Sequence, residues 1–292
     1  MKKNIFKVLI AISLSSVIFL NGCSEEKVVT QQTKVTRIQG KTMGTFYGVI
    51  VPGGYEKGDA ELKKLCEDTF NDISKVISTF DPKAELALFN EHKSTEPYPI
   101  SKYLARIIQE CDHQSRRIDG AMDISVGPLV NLWGFGKDKS KYESPSDEQI
   151  AEAKRLVGLN SYEVRNTSNG ALLIKKDPNV RLDLSTIGEG LGADAVASIL
   201  MQQGVKDFFV HVAGASRSRG FNPKDPTNPD HNVFVAVCPR NLAMSTAGSY
   251  RNYFKDDKSG QFYSHIIDPS TGKPVDHKTM SVTVLGNSAF TT

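Results

Sequence analysis

Leu62, Leu65, Phe70, Ile73, Ile77 and Phe80 recur at helical spacing, which commits this stretch to one long amphipathic helix. Leu104, Ile107, Ile108, Cys111 and Ile118 mark a second. Ser146, with Gln149 three residues on, forms a capping-box signature that opens a third helix, predicted to stop near Gly158. A fourth is predicted from about Gly190 to Gln203, closed by Gly204. Thr45–Val51, Phe208–Val212, Val233–Val237 and Ser281–Leu285 are β-branched and aromatic runs of strand length. Helices and strands do not alternate strictly, so the pattern predicts an α+β fold rather than a doubly wound sheet. No internal repeat and no clean linker follows Thr36. The expectation is one domain of about 255 residues, with room for two lobes. A hydrophobic content of 39% with 14 Phe suffices for a core and excludes wholesale disorder.

The N-terminus reads as an address. Met1 to Lys7 is basic, and Val8 to Leu20 is an apolar run of 13 residues. That run is too short to span a bilayer as a helix but suits a signal peptide. Leu20-Asn21-Gly22-Cys23 resembles a lipobox, so residues 1–22 are expected to be removed and Cys23 to carry lipid. Residues 23–36 then form a polar tether, and the folded domain occupies 37–292. The formal charge of +3 includes Lys2, Lys3 and Lys7; without them 33 basic residues face 33 acidic ones. Nucleic-acid binding, which needs a basic excess, is not expected. With Cys23 lipidated, Cys66, Cys111 and Cys238 remain, an odd number in no metal-binding spacing. Cys66 and Cys111 fall on apolar helix faces and are predicted to be buried free thiols.

Four segments embed polar residues among glycines or β-branched residues. They are Met43-Gly44-Thr45, Asp119-Gly120 running into Asp123–Leu129 and Trp133–Gly136, Asp183–Gly190, and Ser264–Pro269. A strand–helix junction such as Asp183–Gly190 can cradle phosphate on its backbone N–H groups, although a plain tight turn uses the same residues. Alternation through Ser264–Asp268 places His265 and Ile267 on one face of a strand. His265 is either structural or a general base, since imidazole titrates near neutral pH.

Taken in order, these segments resemble the ApbE family, the FAD:protein FMN transferases. The matching pieces are Gly40–Thr45, Ile77–Asp81, Asp119–Asp123, Val126–Gly136, Asp183–Ile187, Ser249–Arg251 and Ser264–Gly272. The resemblance implies a T-fold-like α+β domain. It implies Mg-dependent transfer of the FMN part of FAD to a Thr or Ser hydroxyl of another protein, with AMP released. By position in the motifs, Met43, Phe80, Ala121, Met122, Asp123, Asp183 and Ile267 would meet the flavin nucleotide. His265 would act as base, and Thr186 would offer Mg its carbonyl. Acceptors of the NADH:quinone reductase type are the implied partners, reached from a lipid anchor facing the periplasm. The inner membrane is expected over the outer, although Ser24 is not the aspartate linked to inner-membrane retention.

The sequence departs from the pattern in specific places. Glu189 stands where a lysine is usual, and a glutamate repels a polyphosphate that a lysine attracts. Ala213-Gly214-Ala215 replaces Gly-Gly-Glu, Ala84–Asn90 lacks two hydroxyls and a cation, and Ala247 replaces a serine. After Ser281–Leu285 the pattern expects an Asp and a Thr as metal ligands. Asn287–Thr292 aligns with the approach to that pair, so both ligands and a closing helix are expected beyond Thr292. These departures define an alternative reading, a non-catalytic flavin- or partner-binding lipoprotein of the same family.

Overall fold

Strand Thr36–Thr42 (β1) and strand Thr45–Val51 (β2) fold back on each other through Met43-Gly44, both at positive φ, 48° and 75°. Two left-handed residues match the twist of a two-residue hairpin. The computed structural model describes residues 34–137, 144–220, 241–250 and 252–292. The signal segment, Cys23, the tether up to residue 33, Val233–Val237, His231, Cys238 and Arg251 lie outside the described residues.

The hairpin opens an antiparallel sheet whose other members are Phe208–Val212 (β6), Ala215–Arg219 (β7), Ala243–Gly248 (β8) and Ser281–Gly286 (β13). Among the described residues this sheet has six strands, in the order β1-β2-β6-β7-β8-β13. Tyr47, Val49 and Val51 of β2 point inward, as do Phe208, Val210 and Val212 of β6. They meet helix Asp59–Ile77 (α1) and helix Ser185–Gln202 (α6) through Leu62, Cys66, Phe70, Val196 and Leu200. Phe70 is 1% exposed, and its truncation to Ala would cost about 3–5 kcal/mol.

The far end of α1 enters a second core. Ile73 and Ile77 pack with helix Glu85–Glu91 (α2), helix Lys102–Arg117 (α3) and a three-stranded sheet. That sheet comprises Tyr98–Ile100 (β3), Tyr162–Asn166 (β4) and Ala171–Lys175 (β5), with β5 in the middle. A third cluster gathers Leu129, Trp133, Ile150 and Phe254. It joins helix Gly127–Leu132 (α4), helix Asp147–Lys154 (α5) and hairpin Tyr253–Lys255/Phe262–Ser264 (β9, β10). A last ladder pairs Ile267–Asp268 (β11) with Lys273–Pro274 (β12).

The mixed α+β expectation holds, as do the strands Thr45–Val51 and Phe208–Val212. Both sides of the Ser146–Gln149 capping box are made. Cys66 and Cys111 are buried and free, and burial pushes both thiols up to about 12. Five expectations need correction. Helix α5 ends at Lys154, short of the predicted stop near Gly158. Phe80 lies beyond α1, because the Ser78 hydroxyl accepts the N–H groups of Phe80 and Asp81 and ends the helix. Ile118 caps α3 instead of extending it. The fourth helix starts five residues early, at Ser185, where the Asp183 carboxylate accepts the Ser185 N–H at 2.7 Å. Its early glycines argue against helix by propensity, but Gly190 is needed there: a Cβ would overlap the carbonyl of Ala289. Finally, Ser264–Asp268 is not one strand. The Ser264 hydroxyl accepts the Ile266 N–H at 3.2 Å and breaks it into β10 and β11.

Candidate functional site

α6 organises the first half of the site. Met43 is held at φ 48°, a left-handed backbone that a non-glycine residue adopts at a cost of about 1–2 kcal/mol. Packing offsets that cost, because the Met43 thioether lies against Gly188 and Gly192 of α6, between Ile77 and Phe70. Thr186 stands exposed on the first helical turn. Glu189, one turn on, reaches the β6–β7 turn, where its Oε2 accepts the Gly214 N–H at 3.1 Å. Burial raises its pKa and the Gly214 N–H opposes the shift. Ala213 in that turn is held at φ 45°, where the family pattern carries glycine.

Two acidic motifs are tied together beside it. Asp123 is buried and caps the short 3-10 turn Ile124–Val126, its Oδ1 accepting from the Ser125 N–H at 2.8 Å and hydroxyl at 2.6 Å. The carbonyl of Ile124 then accepts the Asp183 N–H at 2.7 Å. The segment that feeds α6 is in no strand, contrary to the expected strand–helix junction. Asn90 of α2 stands in for a neighbouring strand: its amide donates to the Leu182 carbonyl and its oxygen accepts the Leu182 N–H, both at 2.8 Å. Met122 is half-buried against the second core, whereas Ala121 and Phe80 are exposed, Phe80 at 55%.

His265 and Ile267 belong to the third cluster. The His265 N–H donates to the Asn252 carbonyl at 3.1 Å, and Nδ1 lies 2.9 Å from the same oxygen. A carbonyl only accepts, so Nδ1 carries a proton, and in the neutral ring the lone pair is then on Nε2. Phe135 presents its ring to the imidazole at 6.4 Å between centroids and packs on Phe254 at 5.5 Å. Two residues before it, Trp133 donates its indole N–H to the Gly272 carbonyl at 2.8 Å. Ile267 packs into this cluster. A single run of chain from Asp123 to Phe135 therefore links the buried carboxylate to the histidine's support.

The structure thus groups Met43 and Glu189 with α6, Asp123 with Asp183, and His265 with Ile267. Sequence reasoning missed Asn252, which no motif marks, and gave no role to Asn90, although the Ala84–Asn90 segment contains it. It also passed over Phe135, although the Trp-Gly-Phe-Gly run contains it. Among the described residues no three His, Cys, Asp or Glu side chains converge as a protein-built metal site requires. Thr186 offers only neutral oxygens, so the described residues would supply part of an oxygen shell and leave the rest of a Mg ion's coordination to substrate phosphates and water.

The sequence profile of the ApbE family matches residues 43–292. A relative from Escherichia coli K12 named FAD:protein FMN transferase is 39% identical over 288 residues, 95% of this chain and 82% of its own length. The Vibrio cholerae protein of that name is 35% identical, over 96% of this chain and 83% of its own. Among solved structures, the flavin transferase ApbE from Vibrio cholerae superposes with a TM-score of 0.75 at 32% identity. It covers 88% of this chain and 84% of that one. The Thermotoga maritima ApbE protein gives 0.76 at 26% identity, with the same coverage. With the motifs, the fold and these relatives in agreement, the chain belongs to the ApbE family.

Proposed function

We propose that this chain transfers the FMN moiety of FAD to a Thr or Ser hydroxyl of an acceptor protein and releases AMP. The observation that carries the reading is the anchored imidazole of His265, whose Nδ1–H is committed to Asn252 and whose Nε2 can take a proton. In the proposed step Nε2 accepts the hydroxyl proton as the oxygen attacks the flavin-side phosphorus. The new O–P bond replaces the pyrophosphate P–O bond, and the electron pair of that bond leaves with AMP. Relatives named FAD:protein FMN transferase support the substrate. Met43 and the Asp123–Asp183 pair would hold the flavin nucleotide, with Ala121, Met122 and Phe80 at its edge.

The Mg requirement belongs to the same proposal. Loss of transfer in EDTA is the test of that requirement. Acceptors of the NADH:quinone reductase type and a lipid anchor on Cys23 in the periplasmic face of the inner membrane complete the reading. One observation favours a second reading, flavin binding without turnover: Glu189 places a carboxylate, paired with no lysine or arginine among the described residues, where the family pattern has a cation.

The test mixes the chain with FAD, Mg and a soluble acceptor domain, then looks for covalent flavin fluorescence on a denaturing gel. A fluorescent acceptor band is expected. Absence of the band with FAD binding intact would replace transfer by the binding reading.

A further inference from the structure

The two carboxylate oxygens of Asp123 are not equivalent. Oδ1 accepts both the N–H and the hydroxyl of Ser125, at 2.8 and 2.6 Å. Oδ2 accepts no hydrogen bond among the described residues, yet it is not sealed from solvent. One oxygen is therefore engaged by the chain itself, and the other keeps its lone pairs for a donor from outside.

The Ser125 hydroxyl that makes this division is itself directed. Ser125 is 0% exposed, and its Oγ accepts the Gly158 N–H at 2.7 Å. A carboxylate only accepts, so the single hydroxyl proton goes to Asp123. Gly158 is fixed in turn. Its carbonyl accepts the Ser161 N–H at 2.8 Å, and the Ser161 carbonyl accepts the Lys176 N–H at 2.9 Å, just past β5. Gly158 sits at φ 129°, a backbone that side chains rarely adopt, and nothing lies within 4 Å of the place a Cβ would take. Conformation rather than space calls for glycine here, and that conformation accompanies an N–H turned onto Ser125.

We infer that Ser125 is a positioning residue for the flavin nucleotide: its hydroxyl, backed by the Gly158 N–H, locks Oδ1 of Asp123 so that Oδ2 faces the nucleotide and accepts a hydrogen bond from it. The inference rests on the reading above that places FAD against Asp123, and not on transfer. Without the lock the carboxylate turns freely about its last bond and offers either oxygen. The same turn is tied to the segment that feeds α6, through the Asp183 N–H on the Ile124 carbonyl at 2.7 Å. A carboxylate repels a pyrophosphate, so the group that Oδ2 takes is a neutral O–H or N–H donor of FAD. Both halves of FAD carry such donors, and the test separates them.

The test is a double-mutant cycle on FAD affinity, read by flavin fluorescence quenching, with Ser125→Ala, Asp123→Ala and the two combined. Ser125→Ala is expected to raise the FAD Kd about five- to tenfold in the parent, and less than about twofold once Asp123 is Ala. A merely structural serine would raise Kd by the same factor in both backgrounds. That result, or an unchanged Kd for Ser125→Ala, overturns the positioning role. AMP and riboflavin are titrated in the same series. The one whose affinity falls with Asp123→Ala carries the donor, and dependence of neither overturns the role. Should a variant fail to fold, the parent decides: FAD is expected to slow hydrogen exchange of the Gly158 amide about threefold or more, and unchanged exchange overturns the role. Transfer to the acceptor domain is measured in parallel. If the parent binds FAD and transfers none, an intact coupling between Ser125 and Asp123 still supports the positioning role while the transfer reading fails. Transfer by the parent without that coupling does the reverse.

Discussion

Glu189 Oε2 accepts the Gly214 N–H at 3.1 Å, so a helix carboxylate is engaged by a backbone donor at the turn between β6 and β7. No lysine or arginine among the described residues accounts for its charge, and burial raises its pKa. Glu189→Gln keeps an acceptor for Gly214 and removes the charge. FAD should bind Glu189→Gln roughly tenfold more tightly than the parent at low salt, and the gap should narrow as salt screens it. Fluorescence titrations at two ionic strengths check this; equal affinity would refute the charge argument.

The same carboxylate has a stability signature. A folded pKa above the unfolded value means the acid costs nothing below the unfolded pKa, and stability is lost as pH rises through the folded pKa. Glu189→Gln should therefore melt above the parent at pH 7, and the two should converge near pH 4. Calorimetric scans at both pH values read the difference.

Ala213 sits at φ 45°, where an L side chain is strained. Ala213→Gly relieves that strain but adds chain entropy to the unfolded state, leaving a net gain of about 0.5–1 kcal/mol. Urea midpoints will show it; a loss of stability would mean that packing of the Ala213 methyl outweighs the strain.

His265→Ala removes the proposed base without touching the α6 half of the site. Transfer should fall about 10²–10⁴-fold, while FAD Kd moves less than about twofold. A variant that retains full turnover would take His265 out of the chemistry.

Lys175 is 1% exposed, and its Nζ donates to the carbonyls of Asn90 at 3.1 Å and His92 at 2.8 Å, over the Phe89 ring at 4.8 Å. Burial pulls its pKa down to about 8. Between pH 8 and about 10 the unfolded chain binds more protons, so the native state gains stability as pH rises. Lys175→Met should lose about 1–3 kcal/mol at pH 7 through the two unmet carbonyls, and should lack that alkaline gain. Urea titrations from pH 7 to 9.5 resolve both effects.

What the sequence disclosed followed from periodicity and local chemistry. The apolar repeat of α1, the Ser146–Gln149 box and the alternation in β2 each encode their structure within a few residues. β7, reading Ala215-Ser216-Arg217-Ser218-Arg219, lacks β-branched residues, and only its neighbours β6 and β8 make it a strand. The start of α6 was hidden because its glycines serve tertiary contact against helix propensity. Likewise His265 was visible as a residue, but its tautomer depends on the carbonyl of Asn252, 13 positions away and silent in any pattern.

The reciprocal bonds between Asn90 and the backbone of Leu182 carry one more consequence. Leu182 lies in no ladder, so its amide would ordinarily trade its hydrogen for deuterium quickly. Here that trade requires α2 to part from the strand-like segment that feeds α6. The lifetime of one amide proton thus becomes a clock for the separation of the two elements, and replacing Asn90 by Asp, which can accept but not donate, should make it run faster.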